Sequence, residues 1–242
     1  CTPTRYGLLT GRHCWRTKLQ HGVVQGFAPC LIADDRPTVA SFLRTKGYKT
    51  ALIGKWHLNY QYQDHNTGEF LKRKKNELPP VGATIPDGPL AHGFDFFHGF
   101  HHSRDMDAIV ENSEVIGHDE AITMLPRLAE QSIRYIENAA TAAQPFFLYV
   151  PLGSPHTPIV PTPEWAGKSG LGMYGDFVMQ TENVVGEIQK ALFYGTPEFG
   201  GEYSSIATLL PTGKGTSASH LTATQDKFVE GEATIIELSG VF

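Results

Sequence analysis

Phe146-Phe147-Leu148-Tyr149-Val150 is the stretch that decides the fold. Five apolar residues follow one another without a polar break, with Gln144-Pro145 before them and Pro151 after. Continuous rather than alternating hydrophobicity predicts a strand covered on both faces. The run is too short for a buried helix, and no apolar run nears the roughly 18 residues a membrane helix needs. Upstream, Pro126 to Ala143 carries Leu128, Ile133 and Ile136 at helical spacing. Downstream, Tyr174 to Leu192 is predicted as a helix with Tyr174, Phe177, Val178, Val185, Ile188 and Leu192 on one face. Towards the amino terminus, Pro37 to Lys46 predicts a short helix. Proline stands near its start, Val39, Phe42 and Leu43 share a face, and Gly47 is the stop. Tyr48 to Gly54 then predicts a second strand. The alternation helix, strand, helix, strand, helix implies an α/β fold with a mostly parallel sheet sandwiched by helices.

The chain's 242 residues, 40% hydrophobic and 19% charged, suit one globular domain, or one plus a fragment. With 20 basic against 25 acidic residues, net charge -5, a chain-wide basic face is absent, so nucleic acid is not an expected partner. Nor is a membrane span. Residue 1 is Cys rather than Met, so the chain is read as an internal piece, incomplete at the amino terminus and also at the carboxyl terminus. Residues 1–192 read as one unit. Residues 193–242 read as a tail, dominated by Gly, Ser and Thr from Gly195 to Thr224, with periodicity returning only over Ala233 to Leu238. Asn59 to Asp107 is polar and rich in Pro, Gly and His, the composition of a long functional loop. Cys14 and Cys30 are expected as buried thiols, or as a pair in an oxidising compartment.

In open α/β sheets ligands bind beyond the carboxyl ends of the strands. That rule selects Gly54-Lys55-Trp56-His57-Leu58 and the segment Pro151 to Pro158 with Ser154-Pro155-His156-Thr157. One lysine and two histidines leaving one sheet edge suit an anionic tetrahedral group, the lysine as a point charge and the histidines as donors or proton shuttles. Each histidine alone reads first as a satisfied loop residue. The amino-terminal motif, Cys1-Thr2-Pro3-Thr4-Arg5 followed by Thr10-Gly11-Arg12-His13, shifts the balance towards chemistry.

Cys-x-Pro-x-Arg with Thr-Gly four residues on resembles the signature of type I sulfatases. Gly54 to Leu58 is similar to a second block of that family, with Asn59 where a glycine usually follows. Gly93-Phe94-Asp95-Phe96-Phe97-His98-Gly99-Phe100, Ser154 to Pro158, and the helix Tyr174 to Leu192 resemble three more, in family order over about residues 1–192. The resemblance implies an alkaline-phosphatase-like fold and a sulfuric ester hydrolase of the arylsulfatase kind, acting on aryl or carbohydrate sulfates. It implies that Cys1 is oxidised to formylglycine by a maturation enzyme. One hydroxyl of the hydrated aldehyde would attack sulfur, and loss of the other's proton would release sulfate. It further implies that Cys1 is the nucleophile precursor and, as formylglycine, a metal ligand. Arg5 would hold it, His57 would contact it and assist deprotonation, and Lys55 and His156 would bind sulfate oxygens. His13 is a looser candidate. The expected substrate is a sulfated small molecule or glycan, and the expected compartment the periplasm, the cell exterior or the lysosome.

The departures are as specific. The family holds a divalent cation, usually calcium, on oxygen ligands that include an Asp pair before the signature and an Asp-Asn or Asp-His pair after the third helix. Neither pair occurs in this sequence, and Lys214 only faintly matches a later family lysine. The isolated chain is therefore expected to be weakly active or inactive. The rival expectations are a phosphate-ester or phosphonate hydrolase of the same superfamily, or a non-catalytic sulfate- or glycan-binding remnant. His98, His101 and His102 read as a polar loop near the mouth or as a transition-metal cluster. Leu71 to Lys75 reads as a solvated basic loop or a contact for a sulfated glycan.

Overall fold

The computed structural model describes residues 1–194 apart from 27, 73–76 and 143, and beyond them the backbone of residues 205–209 and 234–238. Period-two alternation in two central strands, β1 (Lys49–Lys55) and β5 (Phe146–Val150), divides its core in two. Leu52, Phe147 and Tyr149 point to one face, where they pack with Tyr6, Leu9 and Ala40. Ala51, Ile53, Leu148 and Val150 point to the other, against Leu128, Ile136, Phe177 and Ile188. The first face is covered by α1 (Thr2–Thr10) and α2 (Val39–Thr45), the second by α3 (Ala121–Ala140) and α4 (Met173–Tyr194). Strands buried on both faces read as unbroken apolar runs, as residues 146–150 do.

The remaining strands are β2 (Phe96–Phe100), β3 (Ala108–Glu111), β4 (Glu114–His118), β6 (Ser205–Leu209) and β7 (Thr234–Leu238). Among the described residues the sheet order is β4-β3-β2-β1-β5-β7-β6. The β2-β1-β5-β7-β6 part is parallel, and β3 and β4 extend it as an antiparallel hairpin. The sheet is thus mostly parallel with helices on both faces, as expected. Within the segment whose fold the sequence leaves open, residues 205–209 and 234–238 form β6 and β7 of this sheet. Lys214 lies outside the described residues, as does part of the Leu71 to Lys75 run.

Several boundaries differ from expectation, each for a physical reason. Helix α2 starts at Val39 rather than Pro37 because Thr38 closes a capping box: its Oγ1 accepts from the Ser41 N–H at 3.0 Å, while Ser41 Oγ accepts from the Thr38 N–H at 2.9 Å. Helix α3 begins five residues before Pro126, which sits inside it and forgoes one backbone bond. In α4 the buried stripe is Phe177, Val184, Ile188 and Leu192, so Tyr174 is exposed and Val184 replaces Val185 at the core. The expected loop Asn59 to Asp107 contains β2, and Tyr60, Tyr62, Ile85 and Phe94 within it are buried in the first core. The signature itself forms a helix: Pro3 stands in the first turn of α1 and Gly11 caps the end at φ 63°.

Two glycines let β1, β2 and the end of β5 come together. A Cβ on Gly99 would run into the Gly54 carbonyl oxygen. One on Gly54, at φ 143°, would come within 2.5 Å of the Pro151 carbonyl oxygen. This close approach delivers Lys55, at the end of β1, to the junction of three strand ends.

Candidate active site

The chain leaving β1 stays laddered to its neighbours. Lys55 N–H donates to the Pro151 carbonyl at 2.8 Å, Trp56 N–H to Phe100 at 2.9 Å and His57 N–H to His101 at 2.7 Å. Beyond the ladder His57 and Asn59 adopt left-handed backbone, φ 50° and 65°, an uncommon conformation for residues with a Cβ. The loop is anchored from within by Trp56 Nε1, which donates to the Asn59 carbonyl at 2.8 Å.

Helix α1 is fixed over these ends by Arg5, only 1% exposed. Its guanidinium donates to the Lys55 carbonyl at 2.6 Å and the Leu152 carbonyl at 3.3 Å, joining the ends of β1 and β5. Thr2 Oγ1 donates to the His57 carbonyl at 3.0 Å and accepts from the Val24 N–H at 3.3 Å. These contacts set Cys1, the residue capping α1, against Lys55, whose Nζ lies 3.6 Å from Cys1 Sγ and donates to Ser103 Oγ at 3.0 Å. Ser103, 8% exposed, was missed in the sequence. It follows two histidines in a polar loop, and only the β1–β2 ladder brings it over Lys55.

The electrostatics suit an anion. Burial, and secondarily the Arg5 charge, push the Lys55 ammonium down to about 7. His57 is held well below the usual histidine range by burial first, then by Lys55, His101, Arg5 and His102. Its Nε2 faces the Val24 carbonyl at 3.3 Å, and a carbonyl can only accept, so Nε2 carries the proton. Nδ1 is then a bare lone pair, buried and without a hydrogen-bond partner among the described residues. His156 has its Nδ1 on the Thr157 carbonyl at 2.7 Å, which leaves its Nε2 available. A cavity of about 110 Å³ is lined by Lys55, His57, His102, Ser103, Arg104 and His156, with Val23, Val24 and Gln25 opposite.

Five of the six residues singled out for the site meet at one place: Lys55, His57 and His156 line the cavity, and Cys1 and Arg5 adjoin it through Lys55, whereas the looser candidate His13 stacks on Trp15 beyond the end of α1. Of the three histidines expected to cluster, His98 turns away while His101 and His102 stay in ring contact, 4.7 Å between centroids. His98 is buried with its Nδ1 3.1 Å from Glu111 Oε2, His101 is buried, and His102 reaches the cavity. Cys14 and Cys30 are free thiols. A larger hollow of about 690 Å³ between α3 and α4 is bordered by Glu130, Glu137, Glu164 and Glu187, a lining that repels anions.

Among the described residues no three His, Cys, Asp or Glu side chains converge to hold a metal ion. Around Cys1 they offer cations and imidazoles rather than the carboxylates a hard divalent cation requires. The described residues alone do not fit such a cation. Among them, no helix is long and apolar enough to cross a membrane.

The sulfatase family model matches residues 1–195. The chain is 29% identical over 239 residues to N-acetylgalactosamine-6-O-sulfatase of Bacteroides thetaiotaomicron, covering 79% of this chain and 46% of that protein. It is 27% identical over 228 residues to mouse arylsulfatase G, covering 78% and 38%. A solved structure from work on glycosaminoglycan metabolism by Bacteroides thetaiotaomicron shares the fold at a TM-score of 0.65, with 23% identity over 80% of this chain and 49% of that one. The PsFucS1 sulfatase from Pseudoalteromonas shares it at 0.60, with 19% identity over 81% and 42%. The chain belongs to the sulfatase family, whose members are sulfuric ester hydrolases that typically use formylglycine and a divalent cation. It spans less than half the length of these two curated relatives.

Proposed function

We propose that the protein carrying this chain hydrolyses sulfate esters of carbohydrate or aryl alcohols. The observation that carries this reading is Lys55 Nζ, 3.6 Å from Cys1 Sγ, at a cavity whose lining has cations and histidines and no carboxylate. Such a site favours an oxyanion over any cationic or neutral ligand. Formylglycine at residue 1, made by a maturation enzyme, supplies a hydrated aldehyde whose hydroxyl displaces the ester oxygen and whose collapse frees sulfate. Arg5 orients residue 1 by fixing α1 to the strand ends. Lys55, recharged as the anion arrives, binds the non-bridging sulfate oxygens, and His156, whose Nδ1–H is taken by the Thr157 carbonyl, donates to them from Nε2 as the doubly protonated ring. His57 Nδ1, the bare acceptor, takes a proton from a hydroxyl at residue 1. The companion cation, calcium by kinship, takes its oxygen ligands from residues other than those described. The setting is an exported one, periplasm, cell exterior or lysosome, again by kinship with the family.

The test uses the complete gene product, produced with a formylglycine-generating enzyme and supplied with calcium. Mass analysis of the Cys1–Arg5 peptide reads the conversion. Hydrolysis of an aryl sulfate is compared with that of the matching aryl phosphate, in wild type and Cys1→Ala. The expected result is conversion at Cys1, preference for the sulfate, loss of turnover in Cys1→Ala, and loss on chelation that calcium reverses. A preference for phosphate, or full activity in Cys1→Ala, overturns the reading.

A further inference from the structure

Arg104 has no place in the scheme above, yet it lines the same cavity. It is the residue after Ser103, whose hydroxyl touches Lys55 Nζ, and adjacent Cα atoms lie only ~3.8 Å apart. Ser103 is turned inward and buried, whereas Arg104 is exposed. No ion-pair partner engages its guanidinium among the described residues. The neighbouring carboxylate, Asp105, is 2% exposed, and its Oδ2 accepts from the Tyr62 hydroxyl at 2.9 Å inside the protein. His102, on the other side of Ser103, feels the charge of both Lys55 and Arg104. In a chain of net charge -5, this cavity thus has one cation buried at its floor and another exposed at its rim, with no lining carboxylate.

Two cations at different depths match a ligand with two anionic groups better than one with a single group. A lone sulfate seated on Lys55 leaves the rim charge unused. A guanidinium presents a planar fork of donors that pairs two-to-two with a carboxylate or sulfate, which a lysine cannot reproduce. From this placement we infer that Arg104 is a specificity-determining residue. It holds a second anionic group of the same glycan, a carboxylate or another sulfate, while the scissile sulfate occupies the floor. The inference rests on the sulfatase reading above and narrows the substrate class to multiply anionic sulfated glycans.

The test compares the complete gene product with its Arg104→Gln and Arg104→Lys variants. Turnover is measured on an aryl monosulfate, a disulfated monosaccharide, and a monosulfated disaccharide carrying a uronate. Calorimetric binding of the same ligands to the Cys1→Ala form, which cannot carry the aldehyde, gives a readout independent of catalysis. The quantity read is the ratio of two-anion to one-anion affinity, and of the corresponding kcat/KM values. Arg104→Gln is expected to lower this ratio about tenfold, and Arg104→Lys to restore part of it, as loss of one charge-assisted pair predicts. A fall confined to the disulfated sugar or to the uronate identifies which anion Arg104 holds. An unchanged ratio, or an equal loss on all ligands, overturns the inference while leaving the sulfatase reading intact. If wild type turns over no sulfate ester, the sulfatase reading fails, and the calorimetric ratio still decides Arg104.

Discussion

A lysine ammonium 1% exposed, with a buried guanidinium next to it and no carboxylate engaging it, costs stability for the sake of binding. Replacing it with an apolar side chain of similar length exposes that cost. Lys55→Met is expected to stabilise the metal-free protein by about 1–2 kcal/mol while abolishing sulfate binding. The pH dependence follows from the lowered value, about 7 against an ordinary 10.5. Below pH 7 the ammonium is present in both folded and unfolded chains, so the full burial cost is felt. Between pH 7 and 10.5 the folded chain sheds the proton that the unfolded chain keeps, so the wild type gains stability as pH rises. The advantage of Lys55→Met should therefore be larger in urea unfolding at pH 6 than at pH 9. An equal advantage at both would show that burial of charge is not its source. At this scale the sequence was informative where a residue ends a strand or lies in the segment just beyond it, as Lys55, His57 and His156 do. Ser103 and Arg104 were illegible because they reach the cavity through pairing between segments, which local composition does not encode.

Among the elements, the contact between β1 and β2 leaves least room for change. Gly99→Ala puts a methyl into the Gly54 carbonyl, backbone against backbone, so neither side can turn away. A loss of roughly 3 kcal/mol or more is expected in thermal or urea unfolding. Gly117→Ala on β4, where a Cβ meets nothing within 4 Å, should stay within about 0.5 kcal/mol. Comparable losses for the two would mean that strand propensity, not the close approach, is responsible. The same strand explains what the sequence concealed. Phe96 to Phe100 is interrupted by His98 and Gly99, and a polar histidine next to a glycine reads as loop. In place, His98 pairs through Nδ1 with Glu111 and Gly99 is required by Gly54. β5 was legible because nothing polar interrupts it. The start of α3 was hidden because Pro126 usually marks a first turn, and here one forgone bond is offset by the burial of Met124, Leu125 and Leu128.

For the molecule as a whole, charge and topology act together. The chain is acidic overall, yet the carboxyl ends of its parallel strands gather Arg5, Lys55 and Arg104, so the field at the cavity opposes that of the net charge. The strand-end rule made that location foreseeable. Which helices cover which face was not, because periodicity gives a buried stripe and not its partner. The Arg5 bridge also has a kinetic meaning. Its two acceptors, the carbonyls of Lys55 and Leu152, lie 50 and 147 residues away along the chain and become neighbours only after β1 and β5 have paired. Closing such long loops is entropically slow, so the helix that Cys1 caps locks on after the folding barrier, not before it. Weakening α1 should then act on the way out of the native state. Tyr6→Ala, which removes a ring 2% exposed under α1, is expected to speed unfolding roughly a hundredfold or more and leave the folding rate nearly unchanged in stopped-flow chevrons. A slowed folding limb would place α1 in the nucleus instead. In a protein built this way, the time for which the site stays assembled is set by how long one arginine keeps two strand ends in hand.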